Sequence, residues 1–226
     1  MGTITRSFAN NITTSGVLLP ASLTNNSIAN VTAYNASVPT GGMKLISTQT
    51  ASNSASISFT TGIDSTYKEY QFYFIDIHPR TDGVNFQFNL STDSGSNYNV
   101  TKTSSVFVAH QREAGDSNAL DYDVVSSPTD LAQSTAFQSL TQAYLTMTSA
   151  GDGSGSGSMS LFNPASTTYV KHFISTMNHM SIDGPPPWTV NTFVAGYGNT
   201  TSACNALQFK MSSGNFDGTI LMYGIV

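Results

Sequence analysis

The sequence predicts an all-β fold: an antiparallel β-sandwich, jelly-roll-like, with an extended N-terminal arm. Three observations carry that prediction. Val84, Phe86, Phe88 and Leu90 alternate with Asn85, Gln87 and Asn89. Successive side chains of a strand face opposite ways, so this stretch reads as a strand with one dry face and one wet face. Short apolar runs of this kind then recur between Gly, Pro, Asn and Ser clusters, giving roughly eight to ten strands at regular spacing. Finally, charged residues make up 9% and hydrophobic residues 39% of the 226-residue chain. An ordinary soluble domain is roughly 25% charged. Here Ser, Thr, Asn and Gly fill the difference, which suits strands with hydroxyl-rich outer faces joined by long polar loops.

Residues 1–42 read as the arm. Arg6 is their only charged residue, and Pro20 and Pro39 interrupt regular structure. Ile4, Phe8, Ile12, Leu18, Leu23, Ile28 and Val31 recur at wide intervals. Such a segment cannot bury enough apolar surface to order itself, so it is expected to order only by lying on a partner. These seven residues are the candidate attachment contacts. Gly41-Gly42 marks the hinge, and residues 43–226 form the sandwich domain.

Within the domain, Lys44–Thr50 reads as an edge strand. Ala55–Thr60 carries Ile57 and Phe59 on one face. Tyr70–Ile77 is apolar on both faces, with Phe72 and Phe74 opposed to Tyr73, Ile75 and Ile77. Pro79 and Asp82-Gly83 suit a turn. Tyr70 to Leu90 therefore reads as an antiparallel hairpin at the centre of the sandwich. On that reading Asn89 faces solvent, and its truncation costs under about 0.5 kcal/mol. A single sandwich buries one face of each strand, so the second apolar face predicts a homo-oligomer, with a closed trimer favoured.

Further along, Tyr98–Ala109 alternates, with Val106 and Val108 opposed to Phe107, and Leu120–Val125 is a short strand. In 126–150, Phe137, Leu140, Tyr144 and Leu145 fit a helical stripe, but Ser- and Thr-rich strands fit equally well. Gly151–Ser158 reads as a flexible loop tip. Met159–Phe162 and Thr168–Met177 form a second hairpin across Asn163-Pro164-Ala165-Ser166. Asp183-Gly184-Pro185-Pro186-Pro187-Trp188 is a stiff polyproline-like loop. Val190–Tyr197, Ala206–Met211 and Thr219–Ile225 complete the strands.

Several chemistries find no support in this pattern. The net charge is −5 and the eight Lys and Arg residues are scattered, which argues against nucleic acid as a partner. Cys204 is the only cysteine, so no disulfide can form within the chain. No apolar run approaches the roughly 18 residues of a membrane span, and the first residues lack a signal-peptide stretch, so synthesis in a cytoplasm is expected. His78, His110, His172 and His179 are not paired at metal-ligand spacing, and no HExxH or G-x-S-x-G motif occurs. Only Glu69 and Glu113 are glutamates, so a paired-carboxylate hydrolase would have to rely mainly on Asp. The chain reads as non-enzymatic, without catalytic residues or a cofactor. Asp93-Ser94-Gly95-Ser96-Asn97 and Asp116-Ser117-Asn118, with Asp121 and Asp123, offer oxygen ligands for Ca²⁺. They lack the D-x-D-x-D-G pattern with its distant Glu and read as plain turns. Trp188, the only tryptophan, admits two readings. It could stack on a sugar ring with Tyr197 or Tyr122 nearby, or anchor a loop at the sandwich edge or a subunit contact; the second is favoured.

The runs GMKLISTQTASNSASISFTTGIDSTYKEYQFYF, LFNPASTTYVKHF, NTFVAGYGNTTSA and FKMSSGNFDGTILMYGIV together resemble a β-rich module of virion-associated proteins of tailed bacteriophages, notably those of marine bacteria. The opening TRSFANNITTSGVLLPASLTNNSIANV is similar to the attachment segments that precede such modules, whereas DGPPPWT departs from the pattern. The resemblance implies a structural protein displayed on the virion surface, either as a capsid decoration or cement protein or as a short fibre. Its partners would be other virion proteins of capsid or tail. The alternative is a tail-fibre-type receptor-binding or carbohydrate-binding module that recognises host surface glycans.

Overall fold

The computed structural model describes residues 42–122, 129–182 and 184–226. Residues 1–41, which hold the seven arm contacts, lie outside them, as do 123–128 and 183. The compact unit containing the described residues spans Gly41–Val226. Its strands are β1 (Met43–Ser54), β2 (Ser56–Phe59), β3 (Glu69–Pro79), β4 (Phe86–Ser91), β5 (Lys102–Arg112), β6 (Asn118–Tyr122), β7 (Gln138–Ser139), β8 (Gly155–Phe162), β9 (Lys171–Ser181), β10 (Trp188–Gly198), β11 (Ala206–Met211) and β12 (Phe216–Ile225). Among the described residues there is no helix.

The strands form two antiparallel sheets, an eight-stranded one in the order β1-β12-β3-β8-β9-β10-β5-β6 and a four-stranded one in the order β2-β11-β4-β7. Eight strands, β1, β2, β3, β4, β7, β8, β11 and β12, alternate between the sheets as β1-β12-β3-β8 over β2-β11-β4-β7. That order is a jelly roll, so the predicted sandwich is the observed one. The other four strands come from two insertions. The β5–β6 pair lies between β4 and β7, and the β9–β10 pair lies between β8 and β11. Together they continue the larger sheet beyond β8.

The core forms where the apolar faces of the two sheets meet. Phe209 of the small sheet is its hub. Its ring lies 5.0 Å from Phe74, 5.5 Å from Phe72, 5.6 Å from Phe86 and 6.2 Å from Phe59. Beyond the jelly roll, the inner face of the inserted strands needs another cover. Residues 129–150 supply it, burying Leu140, Leu145 and Met147. This segment is largely irregular, so its backbone groups turn to side chains. Buried Gln138 donates to the Thr129 and Ser139 carbonyls, and buried Thr141 accepts from the Phe86 amide. The stretch is therefore neither a helix nor a series of long strands; it holds the two-residue β7 and single bridges from Ser134 to Lys102 and from Met147 to Val84. Tyr144, one of the residues of the helical stripe, is exposed.

Several expectations are corrected. Tyr70 to Leu90 is not a hairpin. β3 pairs with β12 and β8 in one sheet, and β4 pairs with β11 and β7 in the other. The chain crosses the sandwich at 80–85, so the apolar faces meet across the core, with Phe74 and Phe86 rings 5.2 Å apart. Ile77 does not share a face with Tyr73 and Ile75. A bulge between Phe74 and Ile77, with Asp76 at φ 50°, shifts the alternation by one and buries Ile77. Asn89 lies on the outer side of its sheet yet is fully buried, under the loop carbonyls of Tyr98 and Thr135. Gly155–Ser158 is strand rather than loop tip. Gly157 lies so close to the Thr176 carbonyl and Met177 Cα that no side chain fits there. His179, beyond the end of the predicted strand Thr168–Met177, is a buried residue of β9. Phe216 and Asp217, before the predicted strand Thr219–Ile225, belong to β12.

Candidate functional site: the outer face of the large sheet

The large sheet turns one face outward along its whole width. The parity of each strand decides what stands there. On β3, β8, β9, β10 and β5, alternate residues enter the core and the intervening ones point away from it. Across the inserted strands the cross-strand neighbours of one row are Thr176, Phe193, Phe107 and Tyr122. Phe107 and Phe193 stack at 4.6 Å with 19° between their planes. The row on one side is Asn178, Asn191, Ala109 and Leu120. On the other side lie Ile174, Ala195 and Ser105, followed by His172, Tyr197 and Thr103. None of these side chains is Lys, Arg, Asp or Glu.

Shallow hollows follow this face. One, of about 510 Å³, lies over Thr103, Ser105, Ile174 and Ala195, and is walled by His172 and Tyr197. Those two rings meet edge to face at 6.0 Å. Another, of about 370 Å³, is lined by Phe107, Leu120, Asp121 and Tyr122, and one of about 270 Å³ by Asn178, Thr189 and Asn191 with Ala109, His110 and Gln111. Small residues make the floor low. Ala195 leaves room above the sheet, and Gly196 lets the Phe173 ring lie directly beneath it.

At the other end of the same face is a second apolar patch, on the jelly-roll strands. Met43 and Leu45 of β1 lie beside Ile225 and Tyr223 of β12, and Leu221 lies beside Tyr73 of β3. Met43 is 44% exposed, Leu45 50%, Tyr73 36% and Ile75 42%. Tyr73 and Tyr223 meet edge to face at 5.8 Å. Between the two patches β8 presents Ser156, Ser158 and Ser160. The unpartnered apolar face expected from Tyr73 and Ile75 is thus present, and without Ile77.

Trp188, Tyr197 and Tyr122 are not one aromatic cluster. Trp188 begins β10 and Tyr197 stands nine residues further along the same strand, roughly 30 Å away at strand rise. They also differ in parity. Trp188 turns to the inner side and packs against the core, its ring 5.3 Å from His110 and under the Arg112 guanidinium. This is the loop-anchor geometry. Tyr197 and Tyr122 share the outer face, separated by the Phe107–Phe193 stack. Sequence reasoning missed Phe107, Phe193, Leu120, His172 and Ile174 as site residues. The alternation of Tyr98–Ala109 already opposed Phe107 to two valines, and that signal could have placed it.

The loops read as turns behave as turns. Asp93 Oδ1 accepts from the Ser91 hydroxyl and the Asn97 amide, and Oδ2 accepts from Asn97 Nδ2. These bonds draw its pKa down to about 2. Asp116 pairs with Arg112 at 3.3 Å, and Asp121 lies 3.9 Å from His110. Asp123 lies outside the described residues. Among the described residues, no three His, Cys, Asp or Glu side chains are grouped to hold a metal.

Two lysines lie buried at one end of the sandwich. Lys171 Nζ donates to the carbonyls of Ser166, Tyr169 and Thr200 at 2.7, 2.6 and 3.1 Å. Its three donors therefore tie two loops to β9. Lys102 Nζ donates to Asn89 Oδ1 at 2.5 Å and to the Val100 carbonyl at 2.8 Å. Burial pushes Lys102 down to about 7 and the neighbouring Cys204 thiol up to about 11.

Comparisons with protein-family models, with curated proteins and with solved structures found no match.

Proposed function

We propose that this chain is a non-enzymatic structural protein of a tailed-bacteriophage virion. On this reading it is displayed on the particle surface as a decoration or cement protein or as a short fibre. Residues 1–42 fasten it to capsid or tail, and the jelly roll is the displayed part. The observation that carries the reading is the outer face of the large sheet. It combines exposed Met43, Leu45, Tyr73 and Ile75 at one end with Phe107, Leu120 and Tyr122 at the other. Apolar area of this kind marks surfaces that meet another protein. A closed homo-oligomer, a trimer on this reading, covers such a face. The charge-poor composition and the resemblance of the arm to virion attachment segments support the same conclusion.

Two measurements test it. Quantitative mass spectrometry of purified virions counts copies per particle, high for a cement protein and low for a fibre. A chain starting at Met43 is then offered to virions in a complementation assay. It is expected to stay off the particle, while the full chain joins and remains bound in high salt, because few charges take part. Normal incorporation of the shortened chain would sink the arm attachment.

The hollow beside His172 and Tyr197 favours a second reading, a module that recognises host surface glycans. It is neutral, edged by Thr103 and Ser105 hydroxyls, and carries an aromatic wall suited to the apolar face of a pyranose. Glycan-array binding that is lost in Tyr197→Ala and kept in Trp188→Phe supports this reading; no binding by the full chain removes it.

A further inference from the structure

The contact between Lys102 and Asn89 has features that a simple hydrogen bond does not require. Both residues are fully buried. Their partnership joins β5 of the large sheet to β4 of the small one. The lysine has no carboxylate within ion-pair distance among the described residues. A buried cation without a counterion is costly, and the usual response is loss of its proton. Burial indeed brings Lys102 down to about 7, so a large fraction is a neutral amine near neutral pH. A neutral amine in a dry site is a nucleophile.

We propose that Lys102 and Asn89 form an intramolecular isopeptide bond, an amide between Lys102 Nζ and Asn89 Cγ. Nζ lies 2.5 Å from Oδ1. With a C=O bond of about 1.23 Å, Nζ is no farther than about 3.7 Å from Cγ. This approaches the separation of about 3–3.5 Å at which reacting atoms are poised. The carbonyl is polarised by the Leu90 amide, which donates to Oδ1 at 2.8 Å. The leaving nitrogen, Nδ2, is held by the Tyr98 and Thr135 carbonyls at 2.7 and 3.0 Å.

The step balances without a further reagent. The neutral amine of Lys102 attacks Cγ, and the N–C bond forms as the carbonyl π bond opens toward Oδ1. One proton passes from Nζ to Nδ2. The Cγ–Nδ2 bond then breaks, the carbonyl re-forms, and ammonia leaves. The new amide keeps one N–H, which can continue to donate to the Val100 carbonyl where Nζ does now. Oδ1 keeps its bond from Leu90. Oxidation plays no part, and Cys204, the buried thiol nearby, is not consumed.

The test is the intact mass of the folded full-length chain, followed by peptide mapping. The expected mass is that of the sequence less one ammonia, with a branched peptide joining the segments that contain Asn89 and Lys102. Lys102→Met is expected to restore the full mass, and Asn89→Asp to lose one water in place of ammonia. A wild-type chain at full mass overturns the proposal. So does an ammonia loss that persists in Lys102→Met, because that loss arises from an imide elsewhere. The wild-type mass decides even where a variant does not fold.

Discussion

His179 makes the stability of this domain depend on acid in a narrow window. Its ring is 1% exposed on β9, and Nε2 is 2.7 Å from the Leu145 carbonyl. Nε2 therefore carries the proton, and among the described residues Nδ1 has no hydrogen-bond partner. Burial holds its pKa down to about 4, against 6.5 for a free histidine. Between those values the unfolded chain binds a proton that the folded chain refuses, so stability rises with pH there. The contribution is complete above about pH 6.5 and is lost as pH falls through about 4. A shift of about 2.5 units at about 1.4 kcal/mol per unit gives a loss of about 3 kcal/mol. The carboxylates that lose partners in acid, such as Asp93 with its pKa of about 2, titrate below this window. The assay is the urea midpoint of the wild type and of His179→Gln, measured from about pH 7 down to about pH 4.5. Gln can still donate to the Leu145 carbonyl and does not titrate. The wild type is expected to lose much of the 3 kcal/mol while the variant stays nearly flat. Parallel slopes for the two proteins would refute the reasoning.

Other consequences are equally direct. Phe88→Ala is expected to cost about 3–5 kcal/mol. Asn89→Ala is expected to cost at least about 3 kcal/mol, because it strands the Leu90 amide, the Tyr98 and Thr135 carbonyls and Lys102; the urea midpoints of both check this, and an Asn89→Ala midpoint equal to wild type would show that the site is wet. Gly157→Ala is expected to destabilise by about 1–3 kcal/mol, since the new methyl meets Thr176 and Met177 backbone; a calorimetric midpoint at the wild-type value would contradict the close approach. Tyr73→Ser with Ile75→Ser is expected to leave the fold intact and shift light-scattering mass toward the monomer, whereas a wild type that is already monomeric at micromolar concentration argues against the covered face.

Period-two alternation was the legible part of this chain. It located the dry residues of β4 and β5, because each of those strands sits with one face in the core. What it could not show was the identity of the cover. Asn89 alternates outward and is still buried, since Tyr98 and residues 129–150 fold over that side of the small sheet. The polar character of that segment hid its role: Gln138, Thr129 and Thr141 are buried because they serve the backbone groups of Thr129, Ser139, Ala143 and Phe86. Local alternation also cannot say which strands pair. Tyr70–Ile77 and Val84–Leu90 are adjacent in sequence, which favours a hairpin, but both runs are apolar enough to face each other across a core. A jelly roll resolves that by sending successive strands to opposite sheets.

The candidate site follows from the same topology. The insertions that became β5–β6 and β9–β10 had to extend the larger sheet, because an isolated pair of strands has too little core to stand alone. Extension gives each inserted strand an inner face, which residues 129–150 cover, and an outer face, which nothing within the described residues covers. Natural sequences normally place charge on such a face. Here alternate positions of β5, β6, β9 and β10 hold Phe107, Tyr122, Leu120, Ile174, Phe193 and Tyr197 with amides and hydroxyls between them. On the jelly-roll strands the same face holds Tyr73, Ile75, Leu221 and Tyr223. Neither set is needed to close the core, whose aromatic hub at Phe209 is complete without them. Large apolar residues set among amides and hydroxyls, with no charge between them, make sense on a surface strand if that surface is buried in an assembly. On the proposed function, the outer positions of the inserted strands serve that contact, while inner residues such as Val106, Phe173 and Val194 belong to the core that holds the domain together.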